Sequence, residues 1–153
     1  MSEWYVFDSY APFQIEWRGR LWPTAEHAFQ AAHFFDTNPE LAEKVRLAMS
    51  PREADVVANE NKQYDDPQWR QKRVAIMTEI VRAKYEQHTL IQDTLLKSGT
   101  MPIIETNDND AFWGWGPDKK GKNVLGEIWM RLRKEVAAPA VGTPSAKVAV
   151  SKL

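Results

Sequence analysis

The sequence predicts an α+β domain, mainly helical, with a few short strands near its two ends. Three observations carry this. Capping side chains stand before prolines at Asn38-Pro39, Ser50-Pro51 and Asp66-Pro67, the pairing that opens helices. Apolar residues behind these starts return at helical spacing, while aromatic and β-branched runs are short and isolated. The 153 residues, 43% hydrophobic and 27% charged, suffice for one core and hardly for two.

In chain order, residues 3–7 (EWYVF) and 13–17 (FQIEW) read as strands, and Arg18-Gly19 reads as the hairpin turn that follows. Thr24, after Pro23, is the expected N-cap of a helix over 24–35 with the stripe Ala25, Ala28, Phe29 and Ala32. Asn38-Pro39 opens a second helix. Ser50-Pro51 opens a third, where Glu53 completes a capping box. Asp66-Pro67 starts the longest helix, residues 67–86, and "TLIQDTLLK" forms another that stops at Gly99. "MPIIET", residues 101–106, reads as a short strand. Asn123 is expected to cap a last helix whose stripe is Leu125, Ile128, Trp129, Leu132 and Val136. Residues 1–136 form the predicted domain, and the Ala/Pro/Val/Gly-rich 137–153 a flexible tail.

Composition removes several function classes. Net charge is −1, so any contact with nucleic acid has to be local. The absence of cysteine excludes disulfides, thiolate zinc sites and a cysteine nucleophile. No apolar run has the length of a membrane span, and no signal peptide is expected, which predicts an intracellular, cytoplasmic protein. The terminal Ser151-Lys152-Leu153 spells a peroxisomal address in a eukaryotic host. His27, His33 and His88 lack metal-ligand spacing, and neither a dinucleotide fingerprint nor a G-x-S-x-G motif is present. No metal and no cofactor are expected. Seven tryptophans exceed what a small core needs, and a pocket that stacks planar rings would use the surplus.

Three polar residues sit where packing alone does not call for them. Lys84 falls on the stripe of Val74, Met77, Ile80 and Val81. Either its ammonium snorkels to water, or it is a desolvated amine of lowered pKa, a base or imine former. Glu26, Gln30 and His33 make a polar stripe at i, i+4 and i+7 within a helix rich in alanine and aromatics. A first-turn carboxylate serves the helix dipole, but such a stripe in a buried helix also forms the wall of a site. Asp110 stands in "NDNDAFWGWGPDKKGKN", beside Trp113 and Trp115. Asx turns account for such clusters, and an acid next to aromatic planes also addresses a ligand. Gly114, Gly116 and Gly121 would let backbone approach that ligand. Lys119, Lys120 and Lys122 before a helix N-terminus would suit a phosphate.

Six ordered segments resemble the NADAR family of N-glycosidases: "WPTAEHAFQAAHF" (22–34), "SPREA" (50–54), "DPQWRQKRVAIM" (66–77), "RAKYEQH" (82–88), "IIETNDNDAFWG" (103–114) and "GKNVLGEIWMRLR" (121–133). The resemblance implies a compact helical fold and a pocket for a ribose carrying phosphates. It places the family's acids at Glu26 and Asp110, its tryptophan at Trp69 and its lysine at Lys84. Its Trp-Gly element falls on Trp113-Gly114, and its Gly-x-Asn-x-Leu-Gly element on Gly121, Asn123, Leu125 and Gly126. Lys122 lies within the latter, and Gln30 on the wall with Glu26. Near the N-terminus the family tends to Phe-Ser-Asn-Phe. This chain has Phe7-Asp8-Ser9-Tyr10, of which Phe7, Ser9 and Tyr10 are expected at the substrate.

Two activities are associated with the family: hydrolysis of phosphoribosylamino-pyrimidine intermediates of riboflavin synthesis, and removal of ADP-ribose from the exocyclic amine of guanine in nucleic acid. Both substrates are glycosylamines on a planar base. One carboxyl, Glu26 or Asp110, would protonate the leaving amine or open the ribose while the other faces the cationic C1. A neutral Lys84 would displace the base by transimination. Trp69 or Trp113 would stack on base or ribose, and the 116–122 loop would take the phosphates. The leading expectation is hydrolysis of ADP-ribosylated guanine. The competing ones are the riboflavin intermediate, a non-catalytic ADP-ribose reader, and a nucleic-acid-binding module.

Overall fold

The computed structural model describes residues 2–137. Two short strands, β1 (Ile15–Trp17) and β2 (Arg20–Trp22), precede six helices: α1 (Ala25–Ala32), α2 (Pro39–Arg46), α3 (Pro51–Asn59), α4 (Trp69–Gln87), α5 (Thr89–Lys97) and α6 (Val124–Ala137). The expected flexible tail and its Ser151-Lys152-Leu153 lie outside the described residues, apart from Ala137, which ends α6. No described helix is long and apolar enough to cross a membrane.

The centre of the molecule is α1, every residue of which is buried. Alanine at 25, 28, 31 and 32 leaves room for α2, α3 and α4 to pack around it. Its start is set by Thr24, whose Oγ1 accepts from the His27 amide at 3.2 Å. His27 is structural, its ring bridging Thr24 Oγ1 (2.8 Å) and the Ala48 carbonyl (3.0 Å). Asn38 and Ser50 cap α2 and α3 through the Leu41 and Glu53 amides. The Glu53 carboxylate returns to the Met49 amide rather than to Ser50, a capping box displaced by one residue.

The hairpin pairs Ile15 with Trp22 and Trp17 with Arg20. Its two-residue turn uses positive φ at Arg18 (50°) and Gly19 (76°), the twist that tight hairpins need. Gln87, at the end of α4, bonds both the amide and the carbonyl of Glu16 at 2.7 Å. One side chain thus caps the open edge of β1.

Five local expectations are corrected. Residues 3–7 form a 3₁₀ turn, not a strand. Ser2 caps it through the Trp4 amide, and the i, i+3 spacing aligns Trp4 and Phe7, whose rings lie 15° from parallel. A short apolar run without polar alternation cannot separate these two outcomes. Phe13 and Gln14 precede the strand, with Phe13 packed edge-on against His88. The Asp66-Pro67 signal is spent on a turn, Asp66 Oδ1 accepting from Gln68 N, so that α4 begins at Trp69. Residues 101–106 have no partner strand. The Asn123 side chain supplies what a neighbour would, donating to Ile103 O (2.9 Å) and accepting from Glu105 N (2.8 Å). That use of Asn123, at φ 51°, replaces the expected side-chain cap on α6.

Candidate active site

A cavity of about 1090 Å³ opens between the first turn of α1, α3, the start of α4 and the 105–113 segment. Glu26 is its most enclosed acid. Although 8% exposed, it lines the cavity from the second position of α1. Gln30 donates to its Oε1 (2.8 Å) and the Ser9 hydroxyl to its Oε2 (2.7 Å). The Glu26 amide in turn bonds the Ser9 carbonyl at 3.0 Å, fixing the 8–10 segment against the helix start. Burial pushes the Glu26 carboxyl up to about 7, with Asp55 and Asp8 adding to the rise. The bonds from Gln30 and Ser9 oppose it by favouring the charged form.

Gln30 also donates to Asp55 Oδ1 (3.1 Å), whose other oxygen accepts from the Tyr10 hydroxyl at 3.4 Å. Burial, reinforced by Glu26 and Asp55, pushes the Tyr10 phenol above its ordinary range. The stripe of Glu26, Gln30 and His33 faces the cavity as its spacing predicts. His33 stacks on Trp69, with centroids 3.8 Å apart, and its Nδ1 meets Asp65 at 3.0 Å. Burial lowers the His33 pKa against the pull of Asp65. Trp113 stands edge-on to Phe29 and lines the same space.

Asp110 lines the cavity and makes the Asx turn as well. Its Oδ1 accepts from the Phe112 and Trp113 amides at 2.9 and 2.8 Å, leaving Oδ2 without a partner among the described residues. Lys84 does not snorkel. It is 1% exposed, and its Nζ donates to the Asp8 carbonyl at 2.8 Å. The ammonium lies 5.4 Å from the Phe13 ring centroid and 5.9 Å from that of Trp129, and burial pulls it down to about 7. Lys84 does not itself line the cavity, whereas its hydrogen-bond partner Asp8 does.

The expected substrate residues therefore divide. Ser9, Tyr10, Gln30, Trp69 and Trp113 converge on this cavity with Glu26 and Asp110, whereas Phe7 faces a second, smaller one. Gly114, Gly121, Lys122 and Asn123 line neither. The glycines serve the chain's own packing. A Cβ at Gly114 would come within 2.8 Å of Glu105 O, and one at Gly121 within 2.6 Å of Gly114 O. The amides of Lys122, Asn123, Val124 and Leu125 are taken by the carbonyls of Ala111, Gly114, Phe112 and Trp113. The loop before α6 therefore spends these four amides on its own carbonyls, and Lys119 lies over Trp115.

The cations that reach the cavity are Arg52, Lys62, Arg70 and Arg73, and none forms an ion pair with a described residue. Arg73 lies 3.6 Å above the Phe112 ring. Glu105 also lines the cavity. Burial, then Asp8, Asp110 and Glu26, push its carboxyl up to about 7. These five residues carry no local sequence signal that separates them from surface charge, because two helices, the turn between them and a loop bring them together. Among the described residues no group of three or more His, Asp or Glu side chains is placed to hold a metal ion.

Fold and cavity define a class: a helical domain that sets a buried, near-neutral carboxyl inside an aromatic-walled cleft bordered by cations. The NADAR domain family model matches residues 1–137. The N-glycosidase YbiA of Escherichia coli is 35% identical over 131 residues, covering 86% of this chain and 81% of that protein. A riboflavin biosynthesis protein of Vibrio vulnificus is 38% identical over 128 residues, covering 84% of this chain and 34% of that one. The NMR structure of E. coli YbiA matches with a TM-score of 0.78 at 35% identity, over 86% of this chain and 77% of that one. The chain belongs to the NADAR family. It is an enzyme, an N-glycosidase.

Proposed function

We propose that this enzyme hydrolyses the bond between ribose C1 of an ADP-ribose or ribose-phosphate group and the exocyclic amine of a base, and that its substrate is ADP-ribosylated guanine in nucleic acid. Glu26 carries the reading. A carboxyl with its pKa near 7, held by Ser9 and Gln30 in a cavity bordered by unpaired cations, is a proton donor poised for neutral pH. Arg52, Lys62, Arg70 and Arg73 take over the phosphate role expected of the 116–122 loop, and four of them suit a pyrophosphate. Trp69 offers its ring to base or ribose on the side away from His33, and Trp113 offers a second plane.

In the proposed course Glu26 gives its proton to the ribose ring oxygen. The ring opens, and the glycosylamine nitrogen forms an imine with C1. Asp110 Oδ2 faces the positive charge. The neutral Lys84 amine adds to C1, Glu26 relays the surplus ammonium proton to the exocyclic nitrogen, and the bond from C1 to that nitrogen breaks, so that the base leaves as its free amine and C1 is held as an imine on Nζ. Water then hydrolyses the lysine imine and releases the sugar, so one water is consumed per bond broken. The course requires Nζ to exchange its bond to the Asp8 carbonyl for the substrate carbon. A second reading, hydrolysis of a phosphoribosylamino-pyrimidine of riboflavin synthesis, is favoured by the similarity to the Vibrio protein.

Guanine-ADP-ribosylated DNA and the phosphoribosylamino-pyrimidine, assayed separately for free sugar, test the proposal. We expect the larger kcat/KM on the DNA, and a kcat about 10²–10⁴-fold lower for Glu26→Gln. A larger kcat/KM on the pyrimidine selects the second reading, and release from neither removes both. Borohydride added during turnover should leave a reduced sugar adduct on Lys84. If no adduct forms and Lys84→Met stays active, water attacks C1 without the lysine.

A further inference from the structure

A second cavity, of about 410 Å³, lies on the far side of Asp8, Glu105 and Leu125, the three residues that line both spaces. Its character is different. Trp4, Tyr5, Phe7, Ile103 and Trp129 face it, with Ile104 at 47% exposure among its outer residues. Among the described residues no cationic side chain lines it, and such walls do not suit phosphates. Its size is within the range of small-molecule sites, and its walls are the apolar and aromatic surface that planar rings favour.

Glu105 stands at the partition. Its backbone is fully committed, the amide to Asn123 Oδ1 and the carbonyl to the Trp115 amide. Its carboxyl has no hydrogen-bond or ion-pair partner among the described residues. The chain two residues before it is tightly packed: an added Cβ at Gly126 would lie 2.1 Å from Ile103 O. A fixed backbone, an unspent carboxyl and an aromatic chamber beside a sugar-phosphate cleft together describe a two-chambered site.

We propose that the smaller cavity receives the leaving base, a planar heteroaromatic ring bearing an exocyclic amine, and that Glu105 hydrogen-bonds to the amine-bearing edge and so sets base preference. The scissile bond then crosses the partition. The sugar lies on the side of Glu26 and the cations, the ring on the side of Trp4 and Phe7. This rests on the N-glycosidase reading above, but binding of a free base tests it without turnover. Asp8, which also lines both spaces, is less available for the edge because its Oδ1 accepts from the Tyr10 amide at 2.9 Å.

The probes are 2-aminopurine and purine, which differ by the exocyclic amine alone, titrated into the full-length protein while the indole N–H signals are followed by NMR. We expect 2-aminopurine to move the Trp4 and Trp129 signals and to bind about tenfold more tightly than purine, as one good hydrogen bond would give. Glu105→Met, which removes both acceptor oxygens at similar length, should shrink that preference to about twofold or less. Ile104→Trp, at an exposed position, should block both probes. Shifts confined to Trp69 and Trp113 would overturn the assignment of the chamber. An unchanged preference in Glu105→Met would overturn the role of the carboxyl, and absence of binding by either probe would overturn both. Failure of the wild-type enzyme to release sugar from either glycosylamine would instead count against the proposed reaction.

Discussion

Glu26 and Lys84 approach the same pH from opposite directions, and this gives the residue-scale proposal a signature. Burial raises the carboxyl from its ordinary 4.5 to about 7, which keeps it protonated as pH rises towards neutrality. Burial lowers the ammonium from its ordinary 10.5 to about 7, which frees the amine as pH rises above that value. A donor at Glu26 is lost as pH increases through about 7, and a nucleophile at Lys84 is lost as pH decreases through about 7. Used together they make kcat a narrow bell centred near neutrality. The groups around Glu26 that can move its limb are Asp8 and Asp55, which raise its pKa; for Lys84 the group is Asp8. Measured from pH 5 to about 9, the wild type should show both limbs. Should the acid limb be missing while the alkaline limb remains, Lys84 is not the nucleophile. Of the candidate site residues these two were the most visible in the sequence, because each breaks a helical pattern that a single element defines. Glu26 opens a polar stripe in a buried helix, and Lys84 sits on an apolar one. What the pattern could not give is that Lys84 ends on the Asp8 carbonyl, since that contact joins positions 76 residues apart.

At the scale of elements, the 103–126 segment shows residues of one sequence motif spent on the chain's own packing. Gly114, Gly121 and Asn123 looked like a ligand cradle, yet they hold the loop to residues 103–105. Glycine and asparagine are the residues that allow backbone to approach a ligand, and they equally allow it to approach other backbone. Sequence alone does not separate the two uses. Gly126, in the first turn of α6, makes the point measurable. In an open helix Gly→Ala would stabilise by about 1 kcal/mol. Here the new methyl would meet Ile103 O at 2.1 Å and the Asn123 amide at 2.4 and 2.6 Å. The backbone oxygen cannot turn aside, so the clash decides. Gly126→Ala should lose about 1–3 kcal/mol in urea unfolding. An unchanged or higher midpoint would show that the segment yields, and that the partition carrying Glu105 is not rigid. The helix starts at Thr24, Asn38 and Ser50 were legible because a cap and its amide lie within three residues. The 101–106 strand was misread because what replaces its partner is one side chain about 20 residues away.

For the whole molecule, a net charge of −1 conceals a local gathering of charge that composition cannot report. Exposed Arg52, Lys62 and Arg70 line the large cavity together with Asp55, Asp65 and Asp66, and buried Glu26 and half-buried Glu105 and Asp110 line it as well. The cations come from α3, the turn after it and the start of α4, so only the assembled fold makes them a set. Their arrangement distinguishes a phosphate-rich substrate from a small one. Contacts to phosphate release counterions, and the affinity lost per decade of salt counts those contacts. KM for guanine-ADP-ribosylated DNA should therefore rise steeply with salt, and more steeply than KM for the monophosphate of a phosphoribosylamino-pyrimidine. Arg52→Gln with Lys62→Gln should flatten the slope for the DNA by about one to two contacts. Because a phosphate grip is the same in ground and transition states, the double variant should raise KM about tenfold and leave kcat nearly unchanged. A salt slope equal for the two substrates, and unmoved by the double variant, would mean that the cations do not touch the substrate phosphates. The preference for ADP-ribosylated nucleic acid would then lose its physical basis.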